Sequence, residues 1–252
     1  MEYIEGETRG ALVDRLGATP DYACELYPAL CDAVGELHAG FAMAGETSAP
    51  VIHRDLKPSN IIVTGANYTP DDGLTFSSLV IIDLGIARVW RDGADADTVK
   101  FGTRPYAPPE QYGFGQTSVR SDVYALGALL FFCLTGADPK PGRNMREQCE
   151  AYDIPASLAD VICMAMTLDP DKRFASAKAL GHAARASYAL SAPTPSSAPN
   201  AASFQEPPER RAVCPAPVLP TDQSQGGLPL VPERPNLLSH IPDTVGRIWN
   251  AF

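Results

Sequence analysis

The residues His53-Arg54-Asp55-Leu56-Lys57-Pro58-Ser59-Asn60 place an imidazole, a guanidinium, a carboxylate, an ammonium and a carboxamide between the apolar flanks Val51-Ile52 and Ile61-Ile62-Val63. So dense a polar cluster between strand-like runs points to a site held on a rigid frame. Asp55 can accept a proton from a hydroxyl. Lys57, two residues on, follows it to the same side of an extended turn. Asn60 offers a carbonyl oxygen to a hard cation. A proton acceptor, a cation and an oxygen ligand are what a phosphate transfer needs.

The elements that must position these groups are short strands and amphipathic helices. Ile61–Val63 and Leu79–Ile82 alternate poorly and are rich in β-branched residues, so they predict two strands. The Pro70-Asp71-Asp72-Gly73 turn signal lies between them. Upstream, Thr8 to Leu16 predicts a helix ended by Gly17. A longer helix is predicted from Thr19-Pro20 through His38, with Ala23, Leu26, Leu30, Ala33, Val34 and Leu37 in one stripe. Downstream, Ser121 to Leu134 predicts the most apolar helix, stopped by Gly136, and amphipathic helices are predicted over Ser157–Thr167 and Ser176–Tyr188. Ser121 and Asp122 head the first of these, where an N-terminal cap is the simplest use of both. The fold class expected is α+β, predominantly helical.

Composition limits the function classes. With 252 residues and 45% hydrophobic content the chain can build a packed core. A net charge of −10 argues against nucleic acid or an anionic membrane as the main partner. The six cysteines show no C-x-x-C spacing and no zinc-like pairing with the four histidines, which suits a reduced, cytoplasmic setting. The first residues lack the apolar centre of a secretory leader, and no apolar run reaches the roughly 18 residues of a membrane span. From about residue 189 to 252 the composition changes: twelve of the 24 prolines fall between Pro193 and Pro242, among Ser, Ala, Gln and Gly. Such a stretch cannot bury enough surface to offset its ordering entropy and is expected to be a disordered tail. Its last residues, Ile241, Val245, Ile248, Trp249 and Phe252, are either a short docking helix or a frayed end.

The His53-to-Asn60 spacing resembles the catalytic loop H-R-D-L-x-x-x-N of the protein kinases, and Lys57-Pro58 resembles their serine/threonine branch. Further stretches resemble the same family in the same order. Asp83-Leu84-Gly85 is similar to the metal-binding D-F-G, with Leu84 in place of phenylalanine. Gly102-Thr103 through Pro108-Pro109-Glu110 resembles the end of an activation segment, with Pro108 where the family commonly has alanine. Asp122-to-Gly127 and Arg173 resemble two later motifs. The resemblance covers residues 1–188 and implies ATP and Mg²⁺ as cofactors and a protein with Ser or Thr acceptors as substrate. It implies Asp55 as the proton acceptor, Lys57 as the cation on the transferred group, and Asn60 and Asp83 as the metal ligands. Glu2 and Ile4, in a hinge over residues 1–6, would meet the adenine edge, and Ile62 would lie under the ring. His53 and Gly85 belong to the two motifs. Arg54 would pair with a phosphorylated Thr98, Thr103 would contact the catalytic loop, Glu110 would pair with buried Arg173, and Asp122 would hold the loop backbone.

The family's glycine-rich loop and its nucleotide-pairing lysine are not found upstream, where no lysine precedes Lys57. The expectation is therefore a kinase C-terminal lobe, residues 7–188, without the small lobe and with little activity alone. Three readings stay open: a truncated serine/threonine kinase, a non-catalytic pseudokinase or docking module, and a split enzyme whose small lobe comes from another chain.

Overall fold

The structure, a computed structural model, describes residues 5–17, 20–40, 49–69, 73–84, 87–89, 103–113, 115–191 and 248–249, of which 20–24, 88–89, 191 and 248–249 are described through their backbone alone. The chain divides into two units, Met1–Ala192 with Pro242–Phe252, and Pro193–Ile241; every described residue belongs to the first. Glu2, Ile4, Gly85, Thr98 and Gly102 lie outside the described residues, as does the proline-rich stretch.

The helices follow from their caps and stripes. Thr8 closes the start of α1 (Arg9–Leu16) by accepting from the Ala11 amide at 3.2 Å, and Gly17 ends it with φ 83° and an N–H on Val13 O. Helix α2 (Pro20–Ala39) buries Leu26, Leu30, Ala33, Val34 and Leu37, and its Tyr27 hydroxyl donates to Leu126 O at 3.1 Å. Helix α3 (Val119–Thr135) starts two residues before the expected Ser121. Ser118 is the cap, accepting from Arg120 N at 3.2 Å, while the Ser121 hydroxyl accepts from Ser118 N at 3.0 Å. The capping box belongs to Ser118 and Ser121, and the Asp122 carboxylate accepts from the His53 and Arg54 amides instead.

Helices α5 (Ala156–Ala165) and α6 (Ala177–Ser191) complete the expected set, and α6 runs past the anticipated boundary at 188 to Ser191. Helix α4 (Met145–Ala151) was not expected. It is a seven-residue helix with a largely polar sequence, and its one local signal is Asn144, whose side chain accepts from Arg146 N at 2.9 Å. Helix α2 packs on α6 and α3, and α5 lies against both α3 and α6. Gly127 lets α3 approach α5 closely, since a Cβ there would meet Ala165 Cβ at 2.7 Å. Each fully buried Leu, Ile or Phe in this core contributes about 1.5–3 kcal/mol.

The strands form small sheets. The largest has the order β1 (Glu7–Thr8), β3 (Ile61–Thr64), β6 (Ser78–Ile82), β8 (Ile248–Trp249), with β1–β3 and β3–β6 antiparallel and β6–β8 parallel. Ile248 and Trp249, candidates for a terminal helix, are thus extended and paired with Ile81 and Ile82. β2 (Val51–Ile52) pairs with β7 (Arg88–Val89). β4 (Asn67–Thr69) pairs with β5 (Gly73–Thr75), a hairpin flanking the Pro70–Gly73 turn signal that was read only as a connection. No described helix is long and apolar enough to cross a membrane.

Candidate active site

The register of β3 on β6 creates the site. Ile61 pairs with Ile81, so Asn60, just before β3, and Asp83, just after β6, emerge at the same end of an antiparallel pair. His53 joins the loop to that strand end, its Nε2 lying 3.2 Å from Ile82 O. Asp83 is exposed and has φ 65°, and Arg54 has φ 71°. A left-handed conformation at a residue with a Cβ costs of order 1–3 kcal/mol and persists only where neighbours over-determine it.

At Arg54 the determinants are visible. Asp122, wholly buried at the start of α3, accepts from His53 N at 2.8 Å through Oδ2 and from Arg54 N at 2.9 Å through Oδ1. His38 Nε2, at the end of α2, reaches the same Oδ2 at 2.8 Å, and Gln111 Nε2 donates to Arg54 O at 2.7 Å. Burial alone would raise the Asp122 pKa, but the His38 hydrogen bond and the charges of His38 and His53 outweigh it and hold the carboxyl below its ordinary value. His53 is pushed the other way: burial lowers its pKa, only partly opposed by Asp122, by its contact with Ile82 and by Asp55 and Asp83. The loop is therefore clamped from three elements.

Asp55 sits at the centre. Its Oδ2 accepts from Lys57 Nζ at 2.6 Å and from Asn60 Nδ2 at 3.2 Å, and its Oδ1 accepts from Thr103 Oγ1 at 3.1 Å. Asn60 Nδ2 also donates to Asp55 O at 2.9 Å, so both amide protons are used on Asp55 and Oδ1 is the atom left for a cation. Among the described residues Asn60 Oδ1 receives only a long 3.4 Å contact from Ser59 Oγ. An amide oxygen and an exposed carboxylate at one strand end fit Mg²⁺, which takes one or two protein oxygens and fills its octahedron with phosphate and water. Among the described residues no group of three or more His, Cys, Asp or Glu could hold a metal alone.

Ile62 is half-buried on β3, facing away from the core side taken by Ile61 and Val63. Gly6 lies against it, and a Cβ on Gly6 would come within 2.7 Å of Ile62 Cγ2. Glu110 and Arg173 form a buried, two-pronged ion pair at 2.7 and 3.0 Å, with the Ser121 hydroxyl donating to Glu110 at 2.8 Å. His38 and Gln111 were missed from sequence. A histidine in the last turn of a helix, and a glutamine after a recognised glutamate, carry no distinguishing local pattern.

The protein kinase domain model matches residues 1–184. The chain belongs to the protein kinase family. Within it, the chain is 30% identical over 194 residues to serine/threonine-protein kinase PknB of Mycobacterium tuberculosis, an alignment covering 70% of the chain and 28% of PknB. It is 31% identical over 140 residues to serine/threonine-protein kinase A of Synechocystis sp., covering 55% of the chain and 26% of that kinase. The chain thus spans less than a third of the length of these curated relatives. The crystal structure of the Mycobacterium tuberculosis PknI kinase domain superposes with a TM-score of 0.51 at 22% identity, over 74% of this chain and 64% of that one, and the likeness is one of fold. The curated relatives it resembles are bacterial serine/threonine-protein kinases.

Proposed function

We propose that this chain carries the catalytic-loop half of a phosphoryl-transfer site that moves the terminal phosphate of Mg²⁺-ATP to serine or threonine hydroxyls of a protein. The observation that carries this is the Asp55 carboxylate. Three of its roughly four lone-pair positions are filled by Lys57, Asn60 and Thr103. The remaining position receives the substrate hydroxyl, and Asp55 takes its proton as the new P–O bond forms. Lys57 Nζ, held against the same carboxylate, faces the transferred group and offsets its charge. Asn60 Oδ1 and the Asp83 carboxylate are the proposed ligands of Mg²⁺, which when bound would neutralise charge on the nucleotide phosphates. Ile62 is the apolar floor for adenine, and Glu2 and Ile4 are its hinge partners.

Arg54 and Thr98 are proposed as a regulatory pair, a phosphate on Thr98 meeting the guanidinium. Thr103 contacts the catalytic loop through Asp55, and Glu110–Arg173 and Asp122 hold the segment and the loop. Since no lysine precedes Lys57, the cation and the roof on the far side of the nucleotide are proposed to come from sequence upstream or from another chain. Free, buried thiols at Cys31, Cys133 and Cys149 favour a reduced, cytoplasmic setting.

The test is phosphate transfer from labelled ATP to a general Ser/Thr substrate, by the 252-residue chain alone and by the polypeptide read from its own upstream coding sequence. The expected result is little transfer by the first, and transfer by the second that falls at least ~10²-fold in Asp55→Asn. An active Asp55→Asn polypeptide would overturn the assignment.

A further inference from the structure

The strand that delivers Asp83 has two edges, and they are held differently. β6 reads Ser78-Leu79-Val80-Ile81-Ile82, four apolar residues in five, and Leu79, Val80 and Ile81 are buried. One edge is taken by β3 through four residue pairs, from Ile61 with Ile81 to Thr64 with Ser78. The other edge, left bare, would present unpaired N–H and C=O groups along an apolar strand, a template for any extended chain. β8 fills it, Ile248 opposite Ile81 and Trp249 opposite Ile82 in parallel register. The chain after Ser191 offers little else for this place. Twelve prolines interrupt it from Pro193 to Pro242, each lacking the N–H that a ladder uses, whereas Asp243 to Phe252 is its longest proline-free run and carries the strand formers Val245, Ile248 and Trp249.

We propose that the outer edge of β6 is a strand-docking site whose occupant is this chain's own segment Pro242–Phe252, bound reversibly and bracing the strand end that carries Asp83. The parallel direction decides which end is braced. β8 runs the same way as β6, and Trp249 meets Ile82, directly before Asp83. Asp83 holds φ 65°, a backbone that its surroundings must fix. Reversibility follows from size: two residue pairs hold β8 against four between β3 and β6, so β8 leaves while the β3–β6 pair stays intact. The tether keeps a released segment at roughly millimolar effective concentration, so it returns to its own edge ahead of a foreign strand. Docking needs neither nucleotide nor metal, so it stands or falls apart from the phosphoryl-transfer reading.

The test uses the full chain without ligands. In the wild type, backbone nuclear Overhauser contacts are expected between residues 81–82 and 248–249. The double variant Ile248→Pro/Trp249→Pro removes both N–H groups of β8 and should speed amide exchange over residues 80–83 at least ~10-fold, with circular dichroism confirming that it is folded. Ser224→Pro, placed in the proline-rich stretch, should leave that exchange unchanged. A free peptide of residues 242–252, added to the double variant at roughly millimolar concentration, should restore the protection. Absence of the wild-type contacts, unchanged exchange in the double variant, or a free peptide that restores nothing would each overturn the proposal. Contacts that form only between labelled and unlabelled copies in a mixed sample would assign the edge to a second chain and overturn it as well.

Discussion

Arg173 and Arg9 are both buried, but their surroundings differ. Arg173 spends all five N–H donors: Nε on Thr167 O, Nη1 on Glu110 and Arg120 O, and Nη2 on Glu110 and Leu168 O, with Tyr124 stacked 5.1 Å from its Cζ. Arg9, wholly buried near the start of α1, gives Nε and Nη2 to the Cys133 sulfur, and its Nη1 has no hydrogen-bond partner among the described residues. One guanidinium is an anchor between the Glu110 segment and α3. The other is a buried charge whose hydrogen-bond partner among the described residues is a thiol, and burial raises the pKa of that thiol despite the cation. The contrast teaches that burial of an ionic group says little about stability until its partners are counted.

The largest expected effect is at the satisfied arginine. Arg173→Met strands the Glu110 carboxylate and should cost about 3–5 kcal/mol in urea unfolding. Adding Glu110→Leu should recover most of that loss, because a matched apolar pair needs no counter-charge. If the double variant is no better than the single, the pair is not the reason for the loss. Next in size is Asp122→Ala, which frees the His53 and Arg54 amides and should cost about 2–4 kcal/mol, with faster amide exchange confined first to the loop.

A smaller effect follows from His53. Its pKa is lowered in the fold by burial, so the unfolded chain binds the proton at higher pH, and stability must fall as pH drops below the ordinary value of 6.5. His53→Gln should flatten that slope by at most about 1.4 kcal/mol per pH unit. Asp122 contributes in the opposite region: its stabilisation is complete above the ordinary carboxyl value of 3.8 and is lost as pH falls through its depressed value. The smallest effect, and the sharpest contrast with Arg173, is Arg9→Leu. It should leave stability unchanged or raise it by up to about 2 kcal/mol, since it removes a charge lacking an ionic partner. A loss of several kcal/mol would show that the thiol is an adequate partner.

The same contrast marks what could be read from the sequence. Glu110 and Arg173, 63 residues apart, were recognisable because each sits in a stretch with its own residue pattern. Arg9 sits in Thr8-Arg9-Gly10, where nothing announces burial, and an arginine one residue into a helix reads as exposed. The long helices were legible from their stripes and the paired strands β3 and β6 from their β-branched runs. The seven-residue α4 was not, because its identity rests on a single cap and on packing against α5. In the site, the loop residues were legible by type and spacing. His38 and Gln111 were not, since their roles exist only once α2 and the segment after Pro108 fold against the loop.

The central claim is that Asn60, Asp55 and Asp83 share one metal-bound phosphate. Mn²⁺, standing in for Mg²⁺, can be titrated with ADP into the isotope-labelled chain while nuclear resonances are followed. Broadening is predicted at Asn60, Asp83 and Asp55 together, with Glu110 and Arg173 untouched, and it should disappear in Asp83→Ala. Broadening of Asp83 without Asn60, or equal broadening across the surface carboxylates in both proteins, would contradict it.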